Sequence, residues 1–351
     1  MSPFTAPHTL LRRVDRYVLA LLATVGLAAL LPAGGGPAEA LDVATKAAVG
    51  LLFFLYGARL SRATALAGLR HWRLHLPILL CTFAVFPLLG LAAGLLPTAL
   101  LSHDLATGVL FLCLLPSTVQ SSVAFVSMSR GNVAAAICSA SFSNLLGVLL
   151  TPALAALLLT HGGAAVRFST ERVIDIVVQL LVPFLAGQSV HRWIAPWITR
   201  HKLLTTLTDR GSILLVVYAA FSEGMNEGIW SRVSAGRLLF LAALCGVLLA
   251  SVLWLTGHSA RRLGFPHEDR MTVVFCAATK SLASGLPIAT VLFAEAEVSL
   301  VVLPLMLYHT MQLMSCAALA RRWSGTPGTG PADSAPVPGP DAPRRAPGLR
   351  G

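Results

Sequence analysis

The chain has 351 residues, 56% of them apolar and only 12% charged, with a mean hydropathy of +0.76. Soluble domains carry roughly a quarter charged residues, so an ordinary cytosolic enzyme is excluded and an all-α polytopic membrane protein is expected. The net charge of +11 would indicate nucleic acid if the basic residues shared one folded face; they are scattered between apolar blocks, and no nucleic-acid partner is expected.

A window of about 19 residues places ten spans, near Tyr17–Pro32, Asp42–Leu60, Leu76–Leu96, Leu105–Met128 and Val133–Leu158, then Val173–Trp193, Arg210–Gly228, Leu238–Gly257, Met271–Phe293 and Val298–Ala320. The first run follows Arg12 and Arg13 and precedes Ala38-Glu39-Ala40, which imitates a cleaved signal peptide. Its length and the nine spans behind it favour a retained helix. Lys46 sits near the outer end of span two, where its stem can snorkel, and Gly90-x-x-x-Gly94 marks close helix packing. Cys81, Cys113, Cys138, Cys245, Cys276 and Cys316 all fall in apolar runs without metal-ligand spacing, so they read as packing residues. Residues 1–323 form the transmembrane domain; after Trp323 the chain turns to Pro, Gly and Ser, and 324–351 read as a disordered cytoplasmic tail.

The Lys/Arg distribution tests this span count, because cytoplasmic loops carry the excess of positive charge. With the amino terminus inside, twenty Lys and Arg fall in inside segments or at the span ends beside them and four (Arg167, Arg172, Arg232, Arg237) outside, while nine acids lie in outside segments or toward the span ends beside them. One span more or fewer would invert every later loop, so the regularity supports ten spans with both termini cytoplasmic.

Ten spans divide into two repeats, about 14–160 and 170–322, and because five is odd the second is inverted, as in many secondary transporters. Sites in such folds lie where helices of matching rank are broken, here the fourth and ninth. In span four, Pro116 is followed by Ser117, Thr118, Gln120, Ser121 and Ser122. Proline removes a backbone donor and frees a carbonyl, and backbone opened at membrane depth needs protein or a watery cavity to satisfy it. The alternative is a kinked helix whose hydroxyls bond their own carbonyls. In span nine, Thr279, Lys280, Ser281 and Ser284 precede the breakers Gly285 and Pro287. Lys280 lies about 15 Å of helix from either end, where a charge costs about 2.5–3.5 kcal/mol on insertion scales, so it is expected to face a cavity. Ser139, Ser141, Ser143 and Asn144 in span five, and His309 and Gln312 on one face of span ten, read either as interhelical glue or as parts of a shared central site.

Four blocks, Phe53 to Ser61 (FFLYGARLS), Pro116 to Phe125 (PSTVQSSVAF), Lys280 to Pro287 (KSLASGLP) and Leu303 to Gln312 (LPLMLYHTMQ), together resemble the bile acid:sodium symporter superfamily, in its branch similar to sodium/bile acid cotransporter 7. The resemblance covers roughly residues 10–323. It implies a core domain, a panel domain and crossed fourth and ninth helices. It also implies a sodium site between the fourth, fifth and ninth helices, bridged to a second site by a ninth-helix Glu followed by Gln-Asn. Aligned on Ser284-Gly285-Leu286, the Glu position falls at Ala278 and the Gln-Asn pair at Leu282-Ala283, while Ser122 matches a fourth-helix ligand position. A fixed ammonium beside a cation site is repulsive, so Lys280 is read as standing in for a bound cation, either fixing the fold or cycling a proton. Na+ near Ser122 and Asn144, or H+, are the coupling ions to consider; no other cofactor and no resident metal is expected.

The resulting expectation is a secondary active transporter of a small organic, anionic solute in the cytoplasmic membrane, with the lipid bilayer as its other partner. Candidate binding residues are Ser117, Thr118, Gln120, Ser121, Ser122, Asn144, Lys280, Ser281, Ser284, His309 and Gln312, with helix breaks at Pro116, Gly285 and Pro287. A non-transporting regulator of ion homeostasis is the alternative. An intramembrane enzyme is disfavoured, because no span holds paired central carboxylates and adjacent Lys280 and Ser281 diverge by about 100° on a helix.

Overall fold

The computed structural model describes residues 16–59, 72–161, 177–226, 228, 234–293 and 295–324, and among them all regular structure is helical. The expected cytoplasmic tail and the arginines ahead of the first span lie outside the described residues. In lipid, a long apolar segment satisfies its backbone only as a helix or in a closed barrel, and these runs lack the two-residue alternation of barrel strands. The helices are α1 (Arg16–Leu30), α2 (Gly36–Arg59), α3 (Trp72–Gly94), α4 (His103–Leu114), α5 (Val119–Met128), α6 (Val133–His161), α7 (Val182–Ser189), α8 (His191–Arg200), α9 (Lys202–Asn226), α10 (Ala235–Arg262), α11 (His267–Ala278), α12 (Leu282–Leu292) and α13 (Glu295–Ser324).

Six stretches are long and apolar enough to cross a membrane, namely α3, α6, α9, α10, α11 with α12, and α13; the α4–α5 pair, bent by 62° at its break, makes a seventh. Shorter apolar helices lie within α1 and at Val178–Ser189, and α2 runs for 24 residues. The remaining expected spans coincide with these shorter apolar helices and with α2 in their described residues, without meeting the length and hydropathy of a crossing helix. One helix was not expected. Span six stops at Ser189, and α8 follows with Ile198 buried on Leu55 and Ala58 while Trp193 and Trp197 stay exposed. A 19-residue window averages out so short an amphipathic piece, whose exposed tryptophans and terminal arginine suit a membrane–water interface.

The helices pack in two groups. In one, α2 packs on α7 and α9, and α9 on α1. In the other, α3 and α13 pack on α4, α10 on α11 and α13, α5 on α6, and α11 on α3, α5 and α6. The groups meet where α9 touches α12 and α13. The α11–α12 segment is the centre: its apolar window is 94% buried, against 28–50% in the other five long spans. Close approach of α2 and α7 depends on two glycines, since a Cβ on Gly57 would run into the Phe184 carbonyl oxygen and one on Gly187 into that of Phe54. Gly90 packs in the same way, with its Cβ position 2.9 Å from Cys113, whereas Gly94 has open space. All six cysteines are free thiols, five of them buried, and Lys46 forms an exposed ion pair with Asp42 at 2.6 Å.

The second break lies earlier than expected. It occupies Thr279–Ser281, while Gly285 and Pro287 sit inside α12. Ser281 is the N-cap, its hydroxyl accepting from the Ser284 amide, and this cap starts the helix ahead of both breakers. Gly285 is needed for space, because a Cβ there would meet Leu115 at 2.5 Å and Leu305 at 2.6 Å. Pro287 leaves the Ala283 carbonyl without its i+4 donor, and the Tyr56 hydroxyl of α2 donates to that oxygen at 3.3 Å.

Candidate functional site

The two breaks are built from an accounting of carbonyls. Pro116 brings no N–H and Leu115 and Thr118 are extended, so the last carbonyls of α4 need partners from elsewhere. At the end of α4 and through the break, Leu114 accepts from the Thr151 hydroxyl at 2.9 Å, Pro116 from the Ser281 amide at 2.9 Å, and Ser117 from the Asn144 side-chain amide at 2.6 Å. The carbonyls of Cys113 and Leu115 accept from the Lys280 ammonium at 3.1 and 2.7 Å. At the other break, the Tyr308 hydroxyl donates to the Ala278 carbonyl at 2.7 Å, and the Gln312 amide clamps Lys280, accepting from its N–H at 2.8 Å and donating to its carbonyl at 2.9 Å.

Lys280 is fully buried. Besides the two α4 carbonyls, its ammonium donates to the Thr82 carbonyl at 3.2 Å and lies 3.9 Å from the centre of the Phe86 ring. Thr82 is in a π-turn, Cys81–Val85, in which the Phe86 amide bonds five residues back to Cys81. The residue that would continue that pattern onto Thr82 is Pro87, which has no N–H. Three carbonyls, one helix carboxyl end and an aromatic face thus compensate the charge; no carboxylate partners it among the described residues. The expectation that Lys280 faces a cavity is corrected, since it is absent from the cavity walls and its ammonium is turned into the bundle. Ser281, its neighbour, bonds Ser284 instead, at 3.1 Å, so the two side chains form no dyad.

Between the breaks lies a hydroxyl cluster. Ser122 and Thr279 are 2.6 Å apart, Ser117 is 3.2 Å from Thr279 and 3.4 Å from Ser122, and the Ser117 amide donates to Ser143 at 3.1 Å. Ser284 donates to Asn144 at 2.8 Å, and Ser121 to Thr118 at 3.2 Å. Of these residues, Ser122 and Asn144 are the ones considered above for sodium. The cluster's oxygens are taken up by one another, and among the described residues no group of His, Cys, Asp and Glu gathers to hold a metal ion.

A cavity of about 620 Å³ separates the two helix groups at this level. Thr118, Gln120, Ser121, Asn144, Ser281, Ser284 and His309 line one wall, together with Pro116. Ser117, Ser122, Lys280 and Gln312 are buried behind it and hold the breaks together. The opposite wall was missed in the sequence: Tyr56, Arg59, Phe184, Asp209 and Arg210. Arg59 donates to Asp209 at 2.5 Å and to the Thr205 carbonyl at 3.5 Å. In the sequence, Arg59 and Arg210 stand only among the twenty inside charges; the FFLYGARLS block carries both Tyr56 and Arg59 and is the signal that finds those two, whereas no motif marks Arg210. Chemically, the arrangement offers two helix amino termini and the Arg210 guanidinium, with Arg59 compensated by Asp209, around a part-apolar space, which favours an anionic group.

Residues 15–325 match the SBF-like CPA transporter family. Relatives covering nearly the same stretch include "Uncharacterized protein PA2026" of Pseudomonas aeruginosa, 52% identical over 88% of this chain and 93% of its own. "Putative symporter YfeH" of Escherichia coli is 47% identical over 90% of this chain and 94% of its own. "Sodium/bile acid cotransporter 7" of Mus musculus is 30% identical over 86% and 90%. A membrane-spanning helical chain with two interrupted helices meeting beside a cavity, matched along this much of its length, belongs to the SBF-like CPA transporter family.

Proposed function

We propose that the chain is a secondary active transporter of a small organic anion in the cytoplasmic membrane, with both termini inside. It works by alternating access, the helix group of α1, α2, α7 and α9 moving against the rest. The observation that carries this reading is the cavity between the two groups, whose one wall is made of the opened amino termini of α5 and α12. Its volume lies in the range of small-molecule sites, Arg210 supplies positive charge beside the Arg59–Asp209 ion pair, and Phe125, Phe184 and Leu313 suit an apolar body.

Ten spans in two inverted repeats complete the proposal. Its support is an exchange of contacts: α3 packs on α4 as α10 on α11, α5 on α6 as α12 on α13, and α2 on α7 as α9 on α1. The caps exchange likewise, Thr151 of α6 closing α4 and Tyr308 of α13 closing α11.

Lys280 takes the role of a bound cation in this reading: it supplies the positive charge that holds the carboxyl end of α4, and sodium at the neighbouring hydroxyls is not required. The test is uptake of labelled keto acids and steroid sulfates into proteoliposomes, with sodium and proton gradients imposed in turn. Sodium-independent flux supports the reading. Flux driven by sodium overturns the role given to Lys280, and no flux under any gradient turns the reading to a non-transporting regulator.

A further inference from the structure

We infer that His309 is the proton-binding site of the cycle, and that its charge is relayed to the Lys280 segment through Gln312. This rests on the transporter reading and names its coupling ion. The orientation of the Gln312 amide follows from its bonds, because Oε1 accepts from the Lys280 N–H and Nε2 donates to the Lys280 carbonyl; a flipped amide would set donor against donor and acceptor against acceptor. The second hydrogen of Nε2 then points at Nδ1 of His309, 2.9 Å away. Nδ1 is therefore the acceptor, and the ring is neutral with its proton on Nε2. Of these three side chains, Lys280 and Gln312 are sealed, whereas His309 lines the cavity and is 8% exposed.

A proton taken from water in the cavity goes onto Nδ1. It sets an imidazolium N–H against the Nε2–H of Gln312, and the amide must turn or withdraw. A turned amide presents the wrong atoms to the Lys280 peptide, so the clamp opens beside the Ser281–Pro116 bond that joins the two breaks. No covalent bond changes except the one to the transferred proton. Of the charged groups on elements packed against α13, Asp209 and Arg210 of α9 face the same cavity, with Arg59 of α2 beside them. α5 and α12 bring no titratable group, and Cys113 of α4 and Cys245 of α10 are buried thiols.

The test is hydrogen exchange by mass spectrometry on the full chain in phosphatidylcholine nanodiscs, read on residues 279–284 and corrected for the intrinsic pH dependence of exchange. Opening in the unmodified chain is expected to rise at least about tenfold from pH 8 to pH 5, the range in which an imidazole charges and the scale of one buried hydrogen bond turned into a clash. His309→Gln and His309→Asn, which do not titrate, are expected to lose that response, and Gln312→Ala to show the open level at both pH values. A pH-independent wild type, or a response kept in either His309 variant, overturns the inference. The readout needs no solute, so a chain that shows the response but moves no anion overturns the transporter reading and leaves the His309 relay standing.

Discussion

The Lys280 ammonium donates to the Leu115 carbonyl at 2.7 Å, across 165 positions of sequence. The bond fastens the break in one interrupted span to the end of the other, so a charge that is costly to insert is also one of the ties between the two central helices. Removing it strands the carbonyls of Thr82, Cys113 and Leu115 together.

Lys280→Ala is therefore expected to destabilise the fold by about 3 kcal/mol or more, as when one partner of a buried polar cluster is lost. The vacated space, lined by three carbonyls and the Phe86 ring, is a cation site of the kind opened helices make. Thermal melts in detergent should show the variant stabilised by sodium chloride relative to choline chloride, with the unmodified chain indifferent to the exchange. Equal behaviour of both proteins in both salts would remove Lys280 from the role of substitute cation.

Asn144 ties three helices, donating to Ser117 and Ala140 carbonyls and accepting from Ser284. Asn144→Ala leaves the Ser117 carbonyl and the Ser284 hydroxyl without these partners, a loss of about 1–3 kcal/mol. Urea or detergent titration of unfolding measures it, and a change within error would mean that water replaces the amide.

Gly57→Ala drives a methyl into the Phe184 carbonyl, and overpacking of this kind costs about 1–3 kcal/mol or more. Gly26→Ala on α1, where nothing lies within 4 Å, is the control and should melt as the unmodified chain does. Similar losses in both variants would place the effect outside the α2–α7 contact.

Tyr56→Phe removes only the hydroxyl that reaches from α2 to the Ala283 carbonyl on α12. Stability should fall by no more than about 1 kcal/mol, while uptake in proteoliposomes changes because the bond joins the two groups that the proposed cycle separates. Unchanged uptake would show that this contact does not gate the motion.

Composition alone determined that the chain is helical and crosses a membrane, since apolar runs of this length leave the backbone no other way to bond in lipid. Pro116 was legible as a break for the same local reason, a missing N–H. Tertiary structure decided the rest. Pro287 looked like a breaker, but Tyr56 from another helix satisfies the carbonyl it frees, and the Ser281 cap starts the helix before it. Lys280 could be placed at mid-membrane depth by counting residues, yet its direction depended on which carbonyls lay within reach. Those belong to α3 and α4, opened by Pro87 and Pro116 far away in sequence. Arg59 and Asp209 likewise became a cavity wall only when α2 and α9 packed together. Local chemistry sets where backbone groups fall open, and only the packing of distant segments determines which side chains answer them.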